Sequence, residues 1–217
     1  GFETQPATVP DPDAPRGPAE LADYLPQFEI MELLGRGGMG WVYKARQKNL
    51  DRVVALKVLP PGIGGDPAFA ERFQREAIAA GNLHHSNIVT IYDVGTEPRA
   101  GDHGQDVHYI VMQYVKGESL HQWLRQQRRP MPLADTTAIV RQIGDALQYA
   151  HDRGMVHRDV KPANVMLDDD GHITLMDFGL VRAGEMSQLT QSGSVLGTPA
   201  YMAPEQITGA VVDRRTD

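Results

Sequence analysis

Between Phe28 and Val115 the chain breaks into five short runs of β-type residues, "FEIMELL", "WVYKA", "VVALKVL", "IVTIYDV" and "VHYIVMQYV". Joined by short turns, such runs predict an antiparallel five-stranded sheet. One segment interrupts them. "DPAFAERFQREAIAAGNL", between the third and fourth runs, opens with Asp66 as an N-cap and Pro67 at the first helical position and closes at Gly81 and Asn82, so it predicts a single helix. Beyond Gly117 the pattern turns helical: Ile139, Ile143, Ala146, Leu147 and Ala150 recur at helical spacing, and Gly154 supplies a stop. The fold class expected is α+β, with a sheet-bearing first lobe over 28–115 and a helical second lobe over 116–217. Residues 1–27 read as a leader or linker, because Pro6, Pro10, Pro12, Pro15 and Pro18 stand among few apolar side chains.

Composition bounds what those lobes can do. A chain of 217 residues, 41% hydrophobic, can bury one good core or two small ones. A formal charge of -7 argues against a general nucleic-acid binder, which needs a basic surface to displace counterions. The absence of cysteine excludes a disulfide scaffold and Cys-ligated zinc and fits a reducing, cytoplasmic setting. No apolar run approaches the roughly 20 residues that span a bilayer, and no signal peptide is visible, so no membrane contact is expected from this segment. A first residue of Gly1 rather than Met points to an excised piece, leaving room for an anchor in the flanks of the parent chain. His84, His85, His103, His108 and His172 lack ligand spacing and read as ordinary surface histidines.

The polar residues carry the chemistry. "GRGGMG", Gly35 to Gly40, joins two strands, so it is a hairpin tip and not the strand-to-helix turn of a dinucleotide fingerprint. Its backbone N–H groups can approach phosphate oxygens without hindrance, although a merely flexible hairpin fits the stretch alone. In the helix, Glu76 falls within the apolar stripe of Phe69, Phe73, Ala80 and Leu83. A carboxylate there needs a partner, and Lys57 in the apolar strand "VVALKVL" can supply it; otherwise Glu76 reaches water and Lys57 snorkels. In "HRDVKPANVMLDDDGHITLMDFG", the runs "VML" and "ITLM" predict a hairpin, and pairing Val165 with Met176 would bring Asn164 and Asp177 to one open end. Amide and carboxylate oxygens suit Mg²⁺. Asp159, in the loop leading in, can accept a proton from an incoming hydroxyl, and Lys161 can offset charge on a transferring group.

Together these motifs resemble a eukaryotic-type protein kinase, in the right order: Gly35-x-Gly37-x-x-Gly40-x-Val42, "VALK" ending at Lys57, Glu76, "HRDVKPAN", "DFG" from Asp177, and "APE" ending at Glu205. "RGGMGWVYKA" and "GTPAYMAPEQ" are similar to the bacterial Ser/Thr members. The resemblance covers about Phe28 to Asp217 and implies a bilobal fold with ATP between the lobes. Its expected nucleotide contacts are Gly35, Arg36, Gly37, Gly38, Met39, Gly40, Val42, Ala55, Lys57, the gatekeeper Met112, the hinge residues Gln113 and Val115, and Met166. It further implies Lys57 on the α/β-phosphates and paired with Glu76, Asp159 as catalytic base, Lys161 beside it, and Asn164 and Asp177 holding two magnesium ions. Two departures, Gln113 at the hinge and Ser86 in "HHSNIV", leave that chemistry intact.

The activity so implied is transfer of the γ-phosphoryl group of ATP to protein Ser/Thr hydroxyls; the alternative is a nucleotide-binding or scaffolding module without transfer. Thr190 and Ser192 are the expected phosphorylation sites of the activation segment, with Arg158 as the cation that engages the phosphate. In the resembling family a long helix starts near Asp217, whose carboxylate braces the loop from His157 to Asp159. Without that helix the face of Ile139, Ile143, Leu147 and Ala150 is expected to lack cover and Glu205 to lack its Arg partner. Residues 1–217 alone are therefore expected to be inactive, requiring a longer parent chain or cover from a second copy, as in a homodimer.

Overall fold

The sheet of the first lobe forms because its strands carry apolar side chains on both faces. β1 (Phe28–Gly37), β2 (Gly40–Gln47), β3 (Arg52–Val58), β4 (Ile91–Glu97) and β5 (Val107–Gln113) are all antiparallel, in the order β1-β2-β3-β5-β4. The computed structural model describes residues 18–37, 40–59, 67–98, 106–127, 129–178 and 199–217. On one face Trp41, Tyr43, Val54, Leu56, Val58, Tyr109 and Val111 form one core. On the other, Ala55, Ile110 and Met112 join a second core with α2 (Pro67–Gly81), whose Phe73, Ala77 and Ala80 are buried. Alternation along each strand separates the two sets.

The first core has an additional cover. α1 (Pro18–Tyr24) and the turn after it place Leu21 and Leu25 against the sheet with no exposed surface. A boundary drawn at residue 28 on proline content thus falls inside packed structure: two leucines outweigh the prolines around them. β4 also begins later than expected. Ile88 and Val89, read as its start, are drawn instead toward the second lobe, where Ile88 bridges Leu175 and the Val89 N–H donates to the Leu175 carbonyl at 3.0 Å.

In the second lobe β6 (Glu118–Ser119) leads into α3 (Leu120–Gln126), capped by Ser119: Gln122 N–H donates to its Oγ, and its own N–H donates to Gln122 Oε1. α4 (Leu133–His151) ends before Gly154, whose φ of +76° lets the chain turn away. Ile139, Leu147 and Ala150 are buried in the shared core and Ile143 is partly buried against it. The expectation of an uncovered α4 face is thus corrected, since β7 (Val165–Leu167), β8 (Ile173–Leu175) and the 84–90 loop contribute to the same core. A short α5 (Pro204–Thr208) follows near the end.

The β7–β8 register differs from the expected one by one position. Val165 pairs with Leu175, not Met176. The turn explains this: Asp168 and His172 face each other, with Asp168 N–H donating to the His172 carbonyl and Asp168 Oδ1 accepting from the N–H groups of Asp170 and His172. Asn164 then lies opposite Met176, whose N–H donates to the Asn164 carbonyl at 2.8 Å, and Asp177 follows one residue on.

Candidate active site

The loop before β7 is held by directional bonds to buried groups. The side chain of Asp217 is fully buried. Its Oδ1 accepts from Arg158 N–H at 2.6 Å and its Oδ2 from His157 N–H at 2.7 Å, with His151 Nε2 at 2.8 Å. The expected bracing of this loop is present. It supports a costly backbone: Arg158 has φ +68°, a conformation that a non-glycine residue holds at roughly 1–3 kcal/mol. Gln206 on α5 donates to the Arg158 carbonyl at 2.7 Å, fixing the other side of the same residue.

His157 has no exposed surface. Its Nδ1 accepts from Asp159 N–H, so Nε2 carries the proton and donates to the Met176 carbonyl at 2.8 Å. Burial pushes its pKa down, against the Met176 bond and the carboxylates of Asp217, Asp177 and Asp159, which favour the charged form. A neutral imidazole thus ties the loop to the strand leading into Asp177. Phe178 packs on it, ring centroids 4.6 Å apart.

Asp159, Lys161 and Asn164 converge. Lys161 Nζ lies 2.8 Å from Asp159 Oδ2, and the Asn164 amide donates to both the carbonyl and Oδ2 of Asp159, at 2.8 and 3.0 Å. Asn164 therefore turns its NH₂ to Asp159 and keeps its carbonyl oxygen as a hard donor. Asp177, in a left-handed conformation with φ +57°, receives Lys57 Nζ on Oδ1 at 2.8 Å. Burial pushes its carboxyl up; the charge and hydrogen bond of Lys57, with Lys161 behind, outweigh that and hold it below the ordinary carboxylate value. An oxygen set of Asn164 and ionised Asp177 fits a hard divalent cation.

The structure gives Lys57 this partner across the cleft in place of the expected Glu76. Glu76 lies half-buried on α2 among buried Phe73, Ala77 and Ala80. Above Lys57, Val42 and Ala55 share its sheet face, and Ala55 pairs with the buried Met112. Gln113 closes β5, its N–H donating to the Thr90 carbonyl at 2.8 Å, and Val115 follows half-buried. Met166 is half-buried on β7 opposite Thr174 and Ser119. Of the glycines, Gly40 is demanded by geometry: φ is +112° and a Cβ would stand 2.1 Å from the Val58 carbonyl oxygen. At Gly35 an added Cβ would meet no described residue within 4 Å, Arg36 is exposed beside it, and Gly37 ends β1. Gly38 and Met39, and the expected phosphorylation sites Thr190 and Ser192, lie outside the described residues.

Several expectations change. Glu205, expected to lack its Arg partner, forms no ion pair with an arginine among the described residues and accepts instead from Thr216 Oγ1 at 2.6 Å, a bond that lowers its pKa. His108 is not a surface residue: it is buried on β5 with Nδ1 2.9 Å from Thr96 Oγ1, and burial lowers its pKa. Among the described residues no group of three or more His, Cys, Asp or Glu is placed to hold a metal. Sequence reasoning missed Asn87, whose Nδ2 donates to the Ile173 carbonyl and Gln142 Oε1, joining the two lobes. An asparagine between two histidines and the apolar "IVTI" was its only signal.

A bilobal arrangement with a braced loop, an Asp–Lys–Asn cluster and a lysine reaching from the sheet defines the class. The chain belongs to the protein kinase domain family, which matches residues 28–217. It is 43% identical over 193 residues to a probable serine/threonine-protein kinase of Streptomyces coelicolor and 39% identical over 191 residues to serine/threonine-protein kinase PrkC of Bacillus subtilis. Both alignments cover 88% of this chain and 28% of the relative. The chain thus spans under a third of the length of these curated relatives. The crystal structure of the Mycobacterium tuberculosis PknI kinase domain superposes with a TM-score of 0.68 at 35% identity, covering 88% of this chain and 69% of that one.

Proposed function

We propose that this chain is the catalytic region of a Ser/Thr protein kinase that transfers the γ-phosphoryl group of ATP to protein hydroxyls. The observation that carries this reading is the convergence of Lys161 and Asn164 on Asp159, next to an Asp177 kept ionised by Lys57. Asp159 takes the proton of the substrate hydroxyl as its oxygen attacks the γ-phosphorus, and ADP leaves. Lys161 holds the Asp159 carboxylate and stands ready for the charge on the transferring group. Asn164 and Asp177 would hold magnesium, which when bound neutralises charge on the phosphate oxygens. Val42, Ala55, Met112, Gln113, Val115 and Met166 would enclose the base, and the 35–40 hairpin would cover the phosphates.

In the active arrangement Lys57 turns to the α/β-phosphates and Glu76 takes over its ammonium, a change that a shift of α2 toward the sheet would make. Phosphate on Thr190 or Ser192 would engage Arg158, whose Nε is buried with no hydrogen-bond partner among the described residues. The cysteine-free composition supports a reducing, cytoplasmic setting. Among the described residues no helix is long and apolar enough to cross a membrane. The test is transfer of label from γ-labelled ATP to Ser/Thr of a generic protein acceptor by the parent chain, with magnesium and with a chelator. Magnesium-dependent labelling is expected; saturable ATP binding with no transfer to acceptor or to itself would refute the reading.

A further inference from the structure

The segment ahead of the sheet is bound to it at every level. Leu21 and Leu25 expose no surface and pack into the core of Trp41, Tyr43, Leu56 and Val58. The turn that follows is fixed by main-chain and side-chain bonds: Leu25 N–H to the Leu21 carbonyl at 2.8 Å, Phe28 N–H to the Leu25 carbonyl, and Lys48 N–H to the Gln27 carbonyl, both at 3.0 Å. Lys48 Nζ donates to the Pro26 carbonyl at 2.8 Å, and the Gln27 amide reaches Tyr109 Oη and Glu97 Oε1 at 3.2 and 3.3 Å. These bonds tie the segment to the residue after β2 and to β4 and β5.

What lies on the reverse of that sheet gives the contacts their meaning. Leu56 and Val58, under α1's core, flank Lys57 in β3; Trp41 and Tyr43 flank Val42 in β2. Because side chains alternate, the residues that face the nucleotide cleft and those that face α1 are neighbours on the same two strands. A β-sheet with one apolar face uncovered twists and opens more readily, since strand order depends on packing of that face.

We infer that residues 18–27 are a positioning clasp for the nucleotide site: Leu21 and Leu25 fix the upper face of β2 and β3 and thereby set the placement of Val42 and Lys57 below. The inference rests on the kinase reading for its activity arm alone. Segments upstream of residue 18 that pull on α1 would loosen the grip on ATP without touching the cleft.

The experiment compares the parent chain with Leu25→Ala, Leu21→Ala/Leu25→Ala and the conservative Leu25→Met, reading KM for ATP, kcat, and deuterium uptake by the amides of 41–46 and 53–58. The double variant should raise KM for ATP by about tenfold, equivalent to roughly 1.4 kcal/mol of binding, with kcat changed by less than about threefold. Its β2 and β3 amides should exchange faster, and Leu25→Met should restore both readouts. If the double variant does not fold, Leu25→Ala carries the test with the same signs at smaller size. A folded variant with KM within about twofold of wild type and unchanged exchange overturns the clasp. Should the wild-type chain fail to use ATP, the kinase reading falls, while the exchange arm still decides on the clasp.

Discussion

The two sides of the cleft are built by different physics. Below, the loop from His157 to Asn164 is held by directional bonds: two backbone N–H groups on Asp217, His157 bridging Asp159 to Met176, and the Asn164 amide on Asp159. Above, Lys57 and Val42 stand on strands whose opposite face is an apolar layer under α1, and Lys57 spans the cleft to Asp177. A bonded loop fixes atoms to within a hydrogen-bond length, whereas an apolar layer fixes strands and leaves a long side chain free to change partner. The lower side is therefore fixed in place, and the upper side leaves Lys57 able to change partner.

Four experiments test this contrast, in falling order of effect. Lys57→Met should reduce transfer by on the order of 10³ while the melting curve stays cooperative, because it removes the cleft-spanning cation and keeps the apolar stem. Transfer at the wild-type rate would remove Lys57 from the mechanism. Asp217→Ala leaves two buried N–H groups and His151 without their acceptor, and should cost about 3–5 kcal/mol in denaturant unfolding. A loss below about 1 kcal/mol would show that the loop is held by something other than these bonds.

Gly40→Ala combines a forbidden φ with a clash at the Val58 carbonyl and should destabilise by about 1–3 kcal/mol, whereas Gly35→Ala, with open space around it, should stay within about 0.5 kcal/mol of wild type. Equal effects at both positions would undo the distinction. The smallest effect is the pH response of His157. Its folded pKa is depressed, so the stability it contributes is fully present above its unfolded pKa of about 6.5 and is lost as pH falls toward the folded value. The slope should not exceed about 1.4 kcal/mol per pH unit, and His157→Gln should flatten it, with buried His108 supplying a residual slope of the same sign.

Much of this was legible because it is local. Alternation in "VVALKVL" and "VHYIVMQYV" fixed which side chains share a face, and the spacing from Asp159 to Asn164 kept one short loop together. What could not be read depends on distant pairings. Lys57 meets Asp177, 120 residues away, and not the expected Glu76, a choice between two carboxylates that local pattern does not decide. The β7–β8 register turned on the side chain of Asp168 closing its own turn, which strand periodicity does not reveal. The docking of α1 was hidden because five prolines dominated the composition while two leucines, four residues apart, decided the packing.

The central claim is that the bonded loop from His157 to Asn164 supplies the group that takes the substrate proton, Asp159, while the α1-backed strands hold ATP and the Lys57 ammonium in place. Steady-state transfer from ATP by Asp159→Asn, beside wild type in the parent chain, tests it most directly. Asn cannot take the substrate proton, yet it can still accept from Asn164 and lie beside Lys161. The expected result is a kcat lower by about 10²–10⁴ with KM for ATP within about threefold of wild type. A kcat near the wild-type value, or a loss confined to KM, would contradict the claim.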